Sequence, residues 1–331
     1  MAKVDSTHET ISKLRFAVDA GFAMLAGMQL DLFTPLKSGS MTADELAAAL
    51  SVNPGRLRLL LYVLVAAELL TEKEGRFSNT EEANKYLVKG EPSYMGNRHA
   101  AIAMRWRHNF GTAESIRRGA PSGKLDFAKA SAEELETFLR NINATAAPSA
   151  RALVKSADFS SIKTLLDLGC GGGGMSITIT KLCPHVTATA VDLASVTPIT
   201  QKIVSEEGAA ERVKVLAAHG VKGPLPGTYD AAVVKSFLQV LSANDARRAI
   251  QNVFKVMNPG GRLFIIGQIL DDSRLSPLDA VGFNLGFINL FDSGESYTEG
   301  EHREWLTAAG FVDIERSPLT DIGSLMTARK P

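Results

Sequence analysis

The sequence predicts an α/β fold, a doubly wound and mostly parallel sheet filling the second half of the chain behind a helical first half. Three observations predict it. The apolar run Leu165–Leu168 enters a turn made almost wholly of glycine, Gly169-Cys170-Gly171-Gly172-Gly173-Gly174. From Thr164 onward short apolar strands alternate with helical segments, as a sheet covered on both faces requires. Before Thr164 the spacing of apolar residues is helical, interrupted by one short hairpin.

In the first half, Leu14 to Leu36 is apolar nearly all round, with Phe16, Val18, Phe22, Met24, Leu25, Met28, Leu30 and Phe33. A helix without a polar face is buried in a core or between subunits. Thr42 and Glu45 have capping-box spacing and open a short helix through Leu50. Pro54-Gly55 starts a second helix carrying Leu57, Leu60, Leu61, Leu64 and Val65. Leu69–Glu72, the Glu74-Gly75 turn and Arg76–Ser78 then read as a hairpin. Two helices and a hairpin resemble a winged helix-turn-helix, which raises a DNA-binding regulator as a rival class. A reading helix needs basic and base-contacting side chains. Between Met41 and Thr80 the basic Arg56, Arg58, Lys73 and Arg76 face Asp44, Glu45, Glu68, Glu72 and Glu74, and the second helix is mostly leucine. Packing or dimerisation fits that composition better.

Glu91–Arg118 carries Arg98, Arg105, Trp106, Arg107, His108, Phe110 and Arg117. It reads as an amphipathic helix with a solvated basic face, or as a pocket wall where Arg105, Arg107 or His108 meets an acidic substrate. The helical pattern continues from Lys124 to Ser160, with Phe138, Leu139 and Ile142 on one face. Strands follow at Leu165–Leu168, Thr187–Val191, Arg212–Ala217, Tyr229–Val234 and Arg262–Gly267. The helix Asp245–Met257 shows Ile250, Val253, Phe254 and Met257 at helical spacing, capped by Ser242 or Asn244 and stopped by Asn258-Pro259-Gly260-Gly261. Phe311–Arg316 and Gly323–Arg329 read as a closing strand pair.

Gly169, Gly171 and Gly174 also satisfy the G-x-G-x-x-G dinucleotide fingerprint, with Asp192 at about the ~20-residue spacing of its acidic partner. Asp167 argues for S-adenosylmethionine instead. A pyrophosphate would sit on the helix N-terminus beyond the turn, where a carboxylate repels it. S-adenosylmethionine brings an ammonium and a sulfonium, which an acidic, acceptor-rich turn suits.

Composition bounds the partners. The 331 residues, 45% hydrophobic and 22% charged, fit an ordinary globular protein of two domains. A formal net charge of zero argues against nucleic acid, whose binding is mostly electrostatic. Cys170 and Cys183 give neither a disulfide framework nor metal-ligand spacing, and no metal is expected. The polar Met1–Thr10 and the lack of a membrane-length apolar run lead to the expectation of a cytoplasmic protein without membrane partners.

At this point the chain resembles the class I S-adenosylmethionine-dependent small-molecule O-methyltransferases, the caffeate, hydroxyindole and antibiotic-tailoring group. The motifs are Asp167-Leu168-Gly169-Cys170-Gly171-Gly172, Val191-Asp192-Leu193, Asn258-Pro259-Gly260-Gly261-Arg262 and Ala308-Ala309-Gly310-Phe311. The resemblance implies a Rossmann-like methyltransferase sheet and an N-terminal all-helical winged-helix dimerisation domain. It divides the chain into a dimerisation domain at 1–90, a helical linker contributing to the substrate pocket at 91–160, and a cofactor-binding domain at 161–331. A homodimer is expected. By position, the family implies that Gly169 and Gly171 approach the methionine part of the cofactor, beside the cofactor-binding Asp167. Asp192, followed by Leu193, accepts from the ribose hydroxyls, and Lys235 lines the cofactor pocket. Ala218-His219-Gly220 stands where the family has Gly-Asp-Phe, so His219 takes the place of the adenine-binding Asp.

A second departure is chemical. The family's general-base histidine falls at Gln239, in Phe237-Leu238-Gln239-Val240-Leu241, and its acidic supports fall at Gly267 and about Ser296. Glutamine takes no proton at neutral pH. Removal of a proton by a positioned base contributes about 10²–10⁴ in rate. A thioether sulfur, a neutral amine or an electron-rich carbon needs no such removal, and the expectation shifts toward those acceptors. O-methylation stays open through an ionised hydroxyl or a substitute base at His108, Tyr297 or His302. So does a reaction that uses the bound cofactor without methyl transfer. Arg105, Trp106, Arg107, His108, Phe110, Asn141, Phe283, Asn284 and Phe287 are the candidate pocket wall, for a substrate of acidic or aromatic character. Each aromatic among them has a core-packing alternative.

Overall fold

The computed structural model describes residues 8–124, 131–143, 145–320 and 323–331. The polar residues 1–7 and the helical continuation expected over 125–130 lie outside the described residues. Two compact units divide the chain, Met1–Trp106 and Arg107–Pro331, at a point inside the segment 91–160 read as a linker.

The first unit contains α1 (Glu9–Gln29), β1 (Met41–Thr42), α2 (Ala43–Leu50), α3 (Pro54–Ala66), β2 (Leu70–Lys73), β3 (Arg76–Asn79) and α4 (Glu81–Tyr86). It is not all-helical, because β1 joins the hairpin to make a three-stranded sheet in the order β1-β3-β2. The apolar pattern runs on to Leu36, but α1 stops at Gln29. Asp31 takes φ +54°, Leu32 N–H donates to Gly27 O at 2.9 Å and Asp31 N–H to Met28 O at 3.3 Å. That closure is a Schellman motif. It turns Leu32 and Phe33 into a core with Leu46, Leu57, Leu61, Leu64, Leu70 and Phe77. The capping box forms as spaced, with Glu45 N–H on Thr42 Oγ1 and Thr42 N–H on Glu45 Oε2. The opposite end of α1 stays uncovered: Ile11, Leu14, Phe16, Val18 and Phe22 are exposed, Leu14 at 65%.

Helix α5 (His99–Asn109) leads out of the first unit. It is followed by α6 (Thr112–Arg118), α7 (Ala132–Asn143) and α8 (Ala146–Ser156). The sheet of the second unit uses β4 (Thr164–Leu168), β5 (Thr187–Asp192), β6 (Val213–Ala217), β7 (Tyr229–Lys235), β8 (Met257–Gly267), β9 (Val312–Thr320) and β10 (Gly323–Arg329). Between them lie α9 (Gly174–Leu182), α10 (Thr197–Glu206), α11 (Ala243–Val256), α12 (Leu278–Leu290) and α13 (Glu299–Ala309). The strand order is β6-β5-β4-β7-β8-β10-β9, parallel through β8, with β10 antiparallel to both of its neighbours. Successive residues alternate between two cores: Leu165, Ala231 and Val233 join one, while Leu166, Ala232 and Val234 join the other. Helix α11 ends one residue sooner than its pattern, because Met257 pairs with Tyr229 and starts β8, and Ser242 supplies the cap.

The sheet places the site. Strand β4 has β5 on one side and β7 on the other. The glycine turn after β4 therefore opens at the topological switch point, where the crossovers diverge and ligands of such sheets bind.

Candidate active site

Asp167 is 1% exposed, lies one residue before the end of β4 and points at the start of α9. Its Oδ2 accepts from Ser176 N–H at 3.1 Å and Ser176 Oγ at 2.7 Å. The carboxylate thus occupies the helix N-terminus that a pyrophosphate would need. Burial pushes its pKa up to about 6, against the pull of the Ser176 hydrogen bonds, with Asp192 raising it further and Lys235 lowering it.

The turn itself is tied down on both sides. Gly169 and Cys170 N–H both donate to Val191 O, at 2.9 and 3.2 Å, and Thr200 Oγ1 donates to Gly171 O at 2.6 Å. Gly169 and Gly171 adopt φ +70° and +53°, a region that side chains disfavour. A Cβ on Gly169 would also lie 2.5 Å from the Phe237 ring, and one on Gly220 would lie 2.9 Å from its far edge. The Phe237 ring wedges between these two glycines, joining the ends of β4, β6 and β7.

Asp192 closes the turn from β5. Its Oδ2 accepts from Gly171 N–H and its Oδ1 from Leu193 N–H, both at 2.8 Å. Burial raises its pKa and these two amides lower it. Each carboxylate oxygen has a second lone pair for a ligand hydroxyl. Half-buried Lys235 ends β7, with Nζ donating to Thr145 Oγ1 at 3.0 Å. Burial lowers its pKa to about 8, partly opposed by Asp167. The acidic cradle, the close backbone and the absent Cβ atoms fit a ligand with a ribose diol and an ammonium. His219 is exposed, and its Nδ1 accepts from Val221 N–H at 3.3 Å. Its free nitrogen is therefore a donor in the neutral ring, not the acceptor that an adenine amino group needs.

Three residues at this site escaped sequence reasoning. Asn143 packs its carboxamide on Gly172 and Gly174, Thr145 holds Lys235, and Phe237 fills the gap between Gly169 and Gly220. Nothing in residue type marks the first two, which come from the linker segment. Lys202 on α10 pairs with Glu136 on α7 at 2.8 Å, and Arg140 on α7 with Glu206 on α10 at 2.7 Å.

Gln239, expected at the base position, is 8% exposed and its Oε1 accepts from Gln268 N–H at 3.0 Å. A Cβ on Gly267 would lie 2.6 Å from that oxygen, so the glycine leaves the space the carboxamide uses. Tyr297 drops out as a base. Its hydroxyl donates to Leu241 O at 2.7 Å, and burial with the Glu295 and Glu301 charges raises its pKa to about 12. His108 lies on α5 against Gly123. Trp106 belongs to the first unit, edge-on to Phe22 at 5.6 Å and against Gly21 of α1, which accounts for it as packing. Arg105 is half-buried, while Arg107 and Asn141 are exposed. On α12, Phe287 is buried between Phe283 and Phe291, and Asn284 Oδ1 accepts from Ser296 N–H at 2.8 Å. Phe287 and Asn284 are thus held by the fold, and Phe283 is half-buried. Asn289, unremarked in the sequence, is fully buried and ties α12 to Thr112 and Ser115 of α6.

Comparison with known proteins bears directly on this geometry. The O-methyltransferase domain family model matches residues 98–312, and the O-methyltransferase dimerisation domain matches residues 14–89. The chain belongs to the O-methyltransferase family. It is a methyltransferase, and S-adenosylmethionine is the methyl donor of that family. It is 28% identical over 296 residues to the 3-hydroxy-5-methyl-1-naphthoate 3-O-methyltransferase of Streptomyces sahachiroi, covering 88% of this chain and 86% of that one. The N,N-dimethyltransferase OxyT of Streptomyces rimosus is 24% identical over 312 residues, covering 91% and 90%. Human N-acetylserotonin methyltransferase, solved in complex with SAM, superposes with a TM-score of 0.78 at 20% identity over 100% of this chain and 99% of that one. Among the described residues no single helix is long and apolar enough to cross a membrane.

Proposed function

We propose that this methyltransferase acts on a small molecule whose accepting atom already presents its electron pair: a thioether sulfur, an amine nitrogen or an activated carbon. One observation carries the reading. Gln239, which the resemblance aligns with the family's base, has its oxygen engaged by Gln268 N–H, and a carboxamide takes no proton. In this reading Asp192 holds the ribose of S-adenosylmethionine, the Gly169–Gly171 backbone approaches its methionine part, and Asp167 with Lys235 sets the charge around the ammonium. The cofactor supplies an electrophilic methyl on a sulfonium. The chain's residues bind, align and exclude water, which suits an in-line displacement. Gln239 keeps N–H donors for a carbonyl or carboxylate oxygen of the acceptor. Arg107 and His108 supply positive or donor groups for an acidic acceptor, and Phe283 an apolar contact.

A labelled-methyl screen over thioethers, amines, tetrapyrroles and phenols tests the reading. Turnover of the first three classes is expected. Turnover of phenols alone, with a pH profile set by one histidine, would overturn it. The relative named as a 3-O-methyltransferase favours a second reading, transfer to a hydroxyl that ionises without the protein's help. Rates that then follow the acceptor's own pKa across a substituted series distinguish it. We further infer a homodimer formed through the dimerisation domain, whose α1 carries the exposed apolar residues.

A further inference from the structure

Gln239 and His302 come from distant parts of the sequence and line one small cavity with Ser236, Phe237, Gly267 and Ile269. Its volume is about 10 Å³, close to the minimum that holds one water. Both side chains have a fixed polarity. Gln268 N–H can only donate, so it claims the Gln239 oxygen and turns the NH2 group the other way. Thr298 O can only accept, at 2.8 Å from His302 Nδ1, so neutral His302 carries its proton on Nδ1 and a lone pair on Nε2. Among the described residues neither the Gln239 NH2 nor His302 Nε2 has a hydrogen-bond partner. A residue with a donor to place and a residue with an acceptor to place thus line one space of about one water.

We propose that a single water bridges them, accepting from Gln239 Nε2 and donating to His302 Nε2, and that His302 is thereby a positioning residue for Gln239. The bridge uses one N–H of the carboxamide and holds the other for the methyl acceptor. Its functional side rests on the reading that Gln239 faces that acceptor; the bridge itself does not. Protonated His302 would present N–H to the water, leaving both water protons without an acceptor on that side. The groups around His302 are the Thr298 carbonyl, the Tyr297 and Trp305 rings, the Glu301 carboxylate and the Arg316 guanidinium. Burial lowers the His302 pKa foremost, with Arg316 acting the same way and Thr298 and Glu301 opposing. The bridge therefore persists into mild acid.

Nitrogen-labelled full-length protein, with S-adenosylhomocysteine added, tests this by following the His302 ring nitrogens and the Gln239 side-chain amide through a pH titration. The expected result is an unprotonated Nε2 at neutral pH and a Gln239 amide shift sharing the His302 midpoint. His302→Phe should remove that midpoint. An Nε2-protonated ring at neutral pH, or a Gln239 amide blind to the His302 titration, would overturn the proposal. Both outcomes are read on the wild-type protein whether or not a methyl acceptor has been found. With an acceptor in hand, His302→Phe should lower kcat about tenfold, the size of one lost hydrogen bond. KM for the cofactor should be unchanged, and His302→Gln, which keeps an acceptor atom, should restore part of the rate.

Discussion

Asp167 is the residue on which stability and binding pull in opposite directions. With its pKa raised from 3.8 to about 6, keeping it ionised in the folded chain costs roughly 3 kcal/mol. Because the folded value is the higher one, the stabilisation belongs to the protonated form and is lost as pH rises through about 6. Asp167→Asn is therefore expected to melt higher than wild type at pH above 6, with the gain shrinking in acid. A cationic ligand favours the ionised carboxylate, so affinity for S-adenosylhomocysteine should rise with pH through the same range. Calorimetry at several pH values should find that rise in wild type and a flat profile in Asp167→Asn; equal profiles would mean that Asp167 does not sense the ligand. Asp192→Ala should weaken the same ligand about a hundredfold, the loss of charge-assisted hydrogen bonds worth ~1.5–3 kcal/mol each.

The glycine turn acts as an element, since Val191 O and Thr200 Oγ1 hold its backbone from either side. Gly169→Ala forces a side chain into φ +70° and against Phe237, a strain of about 1–3 kcal/mol before the clash. A lower Tm with loss of S-adenosylhomocysteine binding is expected. Phe237→Leu in that background should recover part of the Tm, because it relieves the clash and leaves the φ strain. If Phe237→Leu recovers nothing, the ring does not set the position of the turn. The pairs between α7 and α10 are solvent-exposed and screened, so Glu136→Gln should change stability little.

At the scale of the whole molecule the prediction concerns assembly. The exposed Leu14 and Phe16 on α1 sit within the span matched by the dimerisation domain. Leu14→Glu with Phe16→Glu should convert a dimer to monomers in sedimentation at micromolar concentration, with the helix content of the circular dichroism spectrum retained. A wild-type monomer under those conditions would refute the homodimer.

Sequence patterning by itself determined the alternating strands and helices, the capping box at Thr42, the hairpin and the glycine turn with Asp167 and Asp192. These features are local: hydrophobic period, turn chemistry and short motifs are written in consecutive residues. The end of α1 was not legible, because the apolar pattern runs straight through the Asp31 turn that sends Leu32 and Phe33 into the core. Only the tertiary structure decided that Phe237 separates two distant glycines, that Thr145 holds Lys235, that Tyr297 spends its hydroxyl on Leu241, and that His302 meets Gln239 across one cavity. Those pairings join residues far apart in the chain, and a residue's type does not say which partner the packed fold will bring to it.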